Sequence, residues 1–321
     1  MLGTCERAVA VGLECLRHIG IDWSAHPTDE ETRNEYERFW SLLGSREIED
    51  IVDLPPMQDS EALATIYLLT SLSVPAFLTD LNLGALSRCR AANLNLEGGN
   101  SDAAAANYSS LAMMASGLFG NYHEGYRLGK MACVLLERRP LIHFGARTYY
   151  NFAIVVPWTR TLREAIDPAR RAFQMAKERG DPAFAAYSCH ILSSIFLALG
   201  DPLDQVEREL EHGMEFVRRF GFLLDRISAS LALVRTLRGK TTQFGCLDDG
   251  QCTERSFEER ATGQPTDAFL ERYYWIRKLQ ARFFAGDYVS AIDAADKLET
   301  LYAKAASLSV IMLDKEEYHF F

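Results

Sequence analysis

The run closest to a catalytic motif is Gly239-Lys240-Thr241-Thr242, which matches the tail of a phosphate-binding loop. A complete loop carries another glycine five residues before the Gly-Lys pair and follows a buried strand, so that backbone amides can wrap the phosphates. Val234 stands at that position and a helical pattern precedes it, so a solvated helix end is expected. The histidines (His18, His26, His123, His143, His190, His212 and His319) show neither H-x-x-x-H nor H-E-x-x-H spacing. Cys246 and Cys252 with Asp248 and Asp249 bring metal-capable side chains together in sequence, but their spacing fits neither a zinc ribbon nor a calcium loop. Asp29-Glu30-Glu31 and Glu316-Glu317 are carboxylates adjacent along the chain, whereas general acid–base chemistry needs them facing one another across a cleft. Helix-start charges and a solvated face explain them better. No G-x-S-x-G elbow and no H-R-D or D-F-G triplet occurs. Catalytic residues, metal ligands and cofactor-binding residues are therefore all expected to be none, and an enzyme that works on nucleotides survives only if Lys240 and Thr241 contact a phosphate.

The elements around these residues read as helices. Gly, Asn or Asp-Pro punctuates the chain every 15 to 25 residues, and no run alternates polar with apolar residues. Thr28-Asp29-Glu30-Glu31 has the form of a capping box and predicts a helix from Asp29 to Leu43. Ser45 and Asp59 are expected caps for the next two helices, and Leu54-Pro55-Pro56 forces extended chain between them. From Gly99 the helix-to-helix junctions recur at Gly99, Pro140, Gly180 and Gly221, a period near 40 residues. Within each period a short turn divides two helices: Gly120-Asn121-Tyr122, Pro157-Trp158-Thr159 and Gly200-Asp201-Pro202. One hairpin cannot bury both of its apolar stripes, so stacking the next hairpin completes the core.

The expected fold is all-α, a right-handed tetratricopeptide-like α-solenoid of stacked helical hairpins. Its parts are irregular N-terminal hairpins over 1–98, regular repeats over 99–243, a loop insertion over 244–265 and a C-terminal hairpin over 266–321. In the last part Trp275, Leu279, Gly286-Asp287-Tyr288, Ala291, Ala295 and Leu298 follow the tetratricopeptide pattern of large core residues, a tight turn and small residues where helices approach. Gly120-Asn121-Tyr122 and Gly125 hold the matching positions in the first repeat. Tyr149, Tyr150, Trp158, Tyr273, Tyr274 and Trp275 are mostly hairpin core. On tetratricopeptide geometry Asn107, Ser110, Tyr187, His190, Ser228, Arg235, Tyr273 and Gln280 face a concave groove suited to a peptide or a neighbouring domain.

Composition narrows the classes further. The 321 residues carry a formal charge of -10, with 48% hydrophobic residues. The core is ample, and the acidic field repels phosphate backbones and anionic headgroups, so neither nucleic acid nor a membrane is an expected partner. Seven dispersed cysteines without C-x-x-C pairs read as reduced and cytoplasmic. Glu6, Arg7 and Glu14 interrupt what would be the apolar part of a signal peptide. Ala62–Thr79 is the most apolar stretch, but its Thr, Ser and Pro content fits a buried helix.

Three stretches resemble one family: Leu16-Arg17-His18-Ile19-Gly20-Ile21-Asp22-Trp23 with His26-Pro27-Thr28; Asn93-Leu94-Asn95-Leu96-Glu97-Gly98-Gly99-Asn100-Ser101-Asp102; and Trp275 to Tyr288. They are similar to the helical middle region of large bacterial signalling proteins. In that family a serine/threonine-kinase-like domain and an AAA-type predicted ATPase precede the region, and GAF sensor and histidine-kinase domains follow it. The resemblance implies a tetratricopeptide-like segment of a longer, cytoplasmic signal-transduction protein, or the product of a truncated gene. Because none of the family's kinase, ATPase or phosphoacceptor motifs occurs here, it implies no catalytic residue. The expected function is a non-catalytic scaffold for protein–protein or inter-domain contacts between the ATPase and the sensor kinase. The alternative is a small-molecule sensor with its ligand in the concave groove or under the 244–265 segment.

Overall fold

The computed structural model describes residues 2–139, 142–218, 224–250, 253–260, 265–304 and 311–321. It divides into two compact units, Met1–Thr159 and Arg160–Phe321. The first contains α1 (Leu2–His18), α2 (Asp29–Leu43), α3 (Ser60–Thr79), α4 (Leu81–Gly98), α5 (Ala104–Gly117), α6 (Tyr122–Arg138) and α7 (Gly145–Val155). The second contains α8 (Ile166–Arg179), α9 (Pro182–Leu199), α10 (Leu203–Val217), α11 (Leu224–Leu237), α12 (Glu254–Arg260), α13 (Pro265–Phe284), α14 (Tyr288–Lys304) and α15 (Met312–Phe320). Among the described residues no strand forms, and the extended Pro55-Pro56 segment makes one isolated bridge, Pro56 to Asn100. The chain is all-helical, as its periodicity predicts.

Local chemistry sets the helix ends. At the start of α2, Thr28 Oγ1 accepts from the Glu31 amide at 3.1 Å and Glu31 Oε2 accepts from the Thr28 amide at 2.7 Å, a reciprocal capping box. Asp59 Oδ1 caps α3 by accepting from the Glu61 and Ala62 amides. Ser45 does not cap a helix. Gly44 ends α2 at φ +61°, and Glu47 and Asp50 instead cap a short 3-10 turn, Ile48–Asp53. The 244–265 segment is not all loop either, because it holds α12. Asp248 Oδ1 accepts from the Glu254 amide at 2.6 Å, Thr253 Oγ1 accepts from the Ser256 amide at 3.1 Å, and Phe257 stacks on Tyr274 with ring centres 4.9 Å apart.

Packing within each unit is between helices close in sequence. In the first unit α3 packs on α1 and α4, α4 on α2 and α5, and α5 on α6 and α7. Leu13 and Leu16 of α1 meet Leu69 and Leu72 of α3, with Leu83 and Ala91 of α4 in the same core. Gly84 makes the α3–α4 approach possible, since a methyl group there would lie 2.5 Å from Phe77 Cα. Gly125 plays the small-residue part expected of it, because a methyl there would meet the Ala112 carbonyl at 2.9 Å. In the second unit α9 packs on α8, α10 and α11, α11 on α10 and α13, and α13 on α14. Ile276 and Leu279 meet Ala291, Ala294 and Leu298, with Trp275 and Ala295 half-buried beside them. Among the described residues two helices, α3 and α9, are long and apolar enough to cross a membrane. Both place side chains in a core, Ile66, Leu69 and Ala76 from α3 and Ala185, Ile191 and Ile195 from α9.

Candidate functional site

Two polar seams gather most of the residues expected to line a groove. In the first unit, Thr70 Oγ1 on α3 donates to Asn107 Oδ1 on α5 at 3.0 Å, and Asn151 Nδ2 on α7 donates to Ser110 Oγ at 3.0 Å. Arg147 Nη1 on α7 reaches past α5 to the Thr70 carbonyl at 3.0 Å. In the second unit, Arg277 on α13 does the equivalent: Nε donates to Ser230 Oγ on α11 at 3.2 Å and Nη2 to Ser194 Oγ on α9 at 2.6 Å. The His190 ring of α9 lies against Tyr273 of α13, centroids 3.8 Å apart.

Six of these eight positions are buried rather than open to a groove. Asn107, Ser110, His190, Ser228, Tyr273 and Gln280 are buried, and Tyr187 and Arg235 are half-buried. The reason is proximity: alternate helices come close enough for their small polar groups to bond one another and for Tyr273 to cover His190. Ser228 Oγ faces Met214 Sδ at 3.9 Å, and Tyr187 packs edge-on against Phe184. Gln280 Oε1 accepts from Arg277 Nη1 at 2.8 Å.

The expectation of a solvated face at Glu316-Glu317 fails for the second residue. Glu317 on α15 is buried, and its Oε1 accepts from Arg277 Nη1 at 2.6 Å. Arg277 is itself 1% exposed. A guanidinium this deep needs a counter-charge. Glu317 supplies it while Ser194, Ser230 and Gln280 take other donors, so four helices converge on one cation.

Lys240, in the phosphate-loop lookalike, is held by Glu207 of α10 at 2.8 Å. Glu207 also meets Arg238 and lies 3.5 Å from Arg235 Nε. Burial raises the Glu207 pKa, but the Lys240 and Arg238 bonds outweigh it, and the carboxyl stays below its ordinary value. Arg235 also bonds Asp249 Oδ2 at 2.6 Å and Glu211 Oε1 at 3.2 Å. Three cations thus meet three carboxylates among the described residues. Asp248 and Asp249 are occupied with a helix cap and this ion cluster. Cys246 is half-buried, with its thiol pushed up by burial; Cys252 lies outside the described residues. No group of three His, Cys, Asp or Glu among the described residues is placed to hold a metal ion.

One surface feature lies outside these expectations. Tyr288, Val289 and Ile292 at the start of α14 are 61%, 76% and 62% exposed, and Phe320 of α15 is 79% exposed. Phe283 and Phe284, also exposed, extend the patch. Phe283 meets Tyr288 with centroids 6.0 Å apart, and both phenylalanines meet Phe321 at 5.4 Å. With large side chains presenting about 150–250 Å² each when fully exposed, the patch amounts to about 700 Å² of apolar surface. That is at or above the largest patch on an ordinary monomer, about 300–600 Å². The signal in the sequence is an α14 apolar on two faces: Ala291, Ala294 and Leu298 pack inward while Tyr288, Val289 and Ile292 do not. The tetratricopeptide register hides it, because it assigns Tyr288 to the turn.

A scan of protein-family models and a search of curated proteins find no match for this chain.

Proposed function

We propose that the chain is a non-catalytic, tetratricopeptide-like array that docks protein partners, and that the surface formed by Phe283, Phe284, Tyr288, Val289, Ile292 and Phe320 is where docking occurs. The exposure of that surface is the observation that carries this reading: water-facing apolar area of this extent and contiguity fits a protein interface. The helix starts at residues 104, 145, 182, 224 and 265, spaced roughly 40 apart, support the repeat reading. So does the way α13 bonds α9 past α11, and α7 bonds α3 past α5. The resemblance to the middle region of bacterial signalling proteins supports neighbouring ATPase-like and sensor-kinase domains as the partners. The small-molecule alternative gains nothing from the groove positions, six of which are buried.

Co-purification with those neighbouring domains tests the reading. The double variant Val289→Asp, Ile292→Asp changes two exposed side chains, so it keeps the helical circular dichroism of the parent chain and loses the complex. A variant that binds as tightly as the parent chain removes this surface from the account.

A further inference from the structure

Helix α1 is apolar on two sides. Val9, Leu13 and Leu16 point inward and share a core with Leu69 and Leu72 of α3. Ala8, Val11 and Cys15, recurring at intervals of three and four residues, lie on the other side and are exposed, Val11 by 53%. Beside this second stripe an open groove of about 420 Å³ runs between α1 and α3, lined by Arg7, Ala8, Val11, Leu68, Ser71 and Pro75. Its floor is Gly12 against Leu72, where a methyl group on the glycine would lie 2.8 Å from Leu72 Cδ1. Apolar residues three and four apart are what one helix buries against another, so the outer stripe and the groove beside it form a helix-docking face.

The charges beside the stripe select its occupant. Arg7 lines the groove, and Glu14 follows two turns later on the same side of α1. Both are exposed, and among the described residues neither forms an ion pair. They hold the same position in successive heptads. An antiparallel pairing of two α1 helices about a two-fold axis near Ala10 therefore brings each Arg7 to the Glu14 of the other copy, twice over. A parallel pairing would set like charges level with one another. We propose that the α1–α3 groove is the interface of a homodimer, in which each copy lays the Ala8, Val11 and Cys15 stripe along the groove of the other. The small side chains of Ala8 and Ser71 let the second backbone approach, and the contact removes Val11 and Leu68 from water. Such a self-complementary contact closes with two copies. It lies in the first unit and is independent of the docking surface at Phe283 to Ile292.

Sedimentation equilibrium of the full chain, with circular dichroism as the check on folding, tests the interface. The expected result is a concentration-dependent dimer. Val11→Asp sets two like charges beside the axis and raises the dissociation constant about a hundredfold or more. Arg7→Glu and Glu14→Arg each turn two attractive pairs into two repulsive ones and weaken the dimer about tenfold. The double variant Arg7→Glu, Glu14→Arg restores both pairs in reverse and returns the dissociation constant to within about threefold of the parent, whereas independent structural effects would add. If Val11→Asp does not fold, the charge-reversal series decides alone. A monomer at every concentration overturns the proposal, as does a dimer that Val11→Asp leaves intact or a double variant as weak as the weaker single one. A dimer lost instead in Val289→Asp, Ile292→Asp assigns self-association to the Phe283 surface and overturns the α1–α3 interface.

Discussion

Glu317→Gln probes a deeply buried electrostatic contact. The substitution keeps the size of the side chain and removes its charge, leaving Arg277 with neutral partners only. Arg277 and Glu317 are 1% and 7% exposed and 2.6 Å apart, so solvent screening is slight. At an effective dielectric constant near 20, unit charges about 4 Å apart interact by about 4 kcal/mol, and removing one member of a buried pair costs about 3–5 kcal/mol. Ser194, Ser230 and Gln280 continue to accept from Arg277, and the amide oxygen that replaces the carboxylate can do so too, which places the loss near about 3 kcal/mol. Domains of this kind are stable by only about 5–15 kcal/mol, so the effect is large. Urea unfolding followed by circular dichroism measures it, and hydrogen exchange places the lost protection in α9, α11, α13 and α15. Replacing both partners, Arg277→Met with Glu317→Leu, relieves the desolvation of both charges and destabilises less than Glu317→Gln alone. A Glu317→Gln chain within about 0.5 kcal/mol of the parent would refute the claim that Glu317 neutralises a buried cation.

Two further expectations come from particular contacts. Gly84→Ala pushes a methyl group against the Phe77 backbone, which cannot rotate away as a side chain can, and lowers stability by about 1–3 kcal/mol in the same unfolding assay; an unchanged midpoint shows that α3 and α4 separate freely. Glu207 has a folded pKa below its unfolded value of about 4.3, so its contribution is fully present above that pH and is lost as pH falls through the lower folded value. Glu207→Gln therefore flattens acid unfolding below about pH 4.3, and a profile identical to that of the parent contradicts the Lys240 and Arg238 pairing.

Much of the fold is legible in the sequence because helix ends are local. Thr28 with Glu31 and Asp59 with the two amides after it complete their bonds within four residues, so spacing alone reveals them. The same holds for the turns at Gly120, Gly200 and Gly286. Ser45 misleads because a cap is decided by which side chain reaches the free amides, and Glu47 with Asp50 reaches them first. α12 is hidden in a polar stretch whose anchor, Phe257, has meaning only once Tyr274 is placed opposite it. The sites are harder still. The register assigns Asn107, Ser110, His190, Tyr273 and Gln280 to a concave groove, whereas they are buried; how far alternate helices stand apart is a tertiary quantity, and it decides whether such residues line a groove or close it. Glu317 looks like half of a solvated acidic pair because its partner, Arg277, is 40 residues away in sequence.

Hydrogen–deuterium exchange of the full chain, with and without the ATPase-like and sensor-kinase domains proposed as its partners, tests the docking account most directly. The account predicts slowed exchange at the C-terminal turn of α13, the first two turns of α14 and the end of α15, around Phe283, Val289, Ile292 and Phe320. A complex whose protection lies wholly outside these segments, or the absence of any complex, contradicts it.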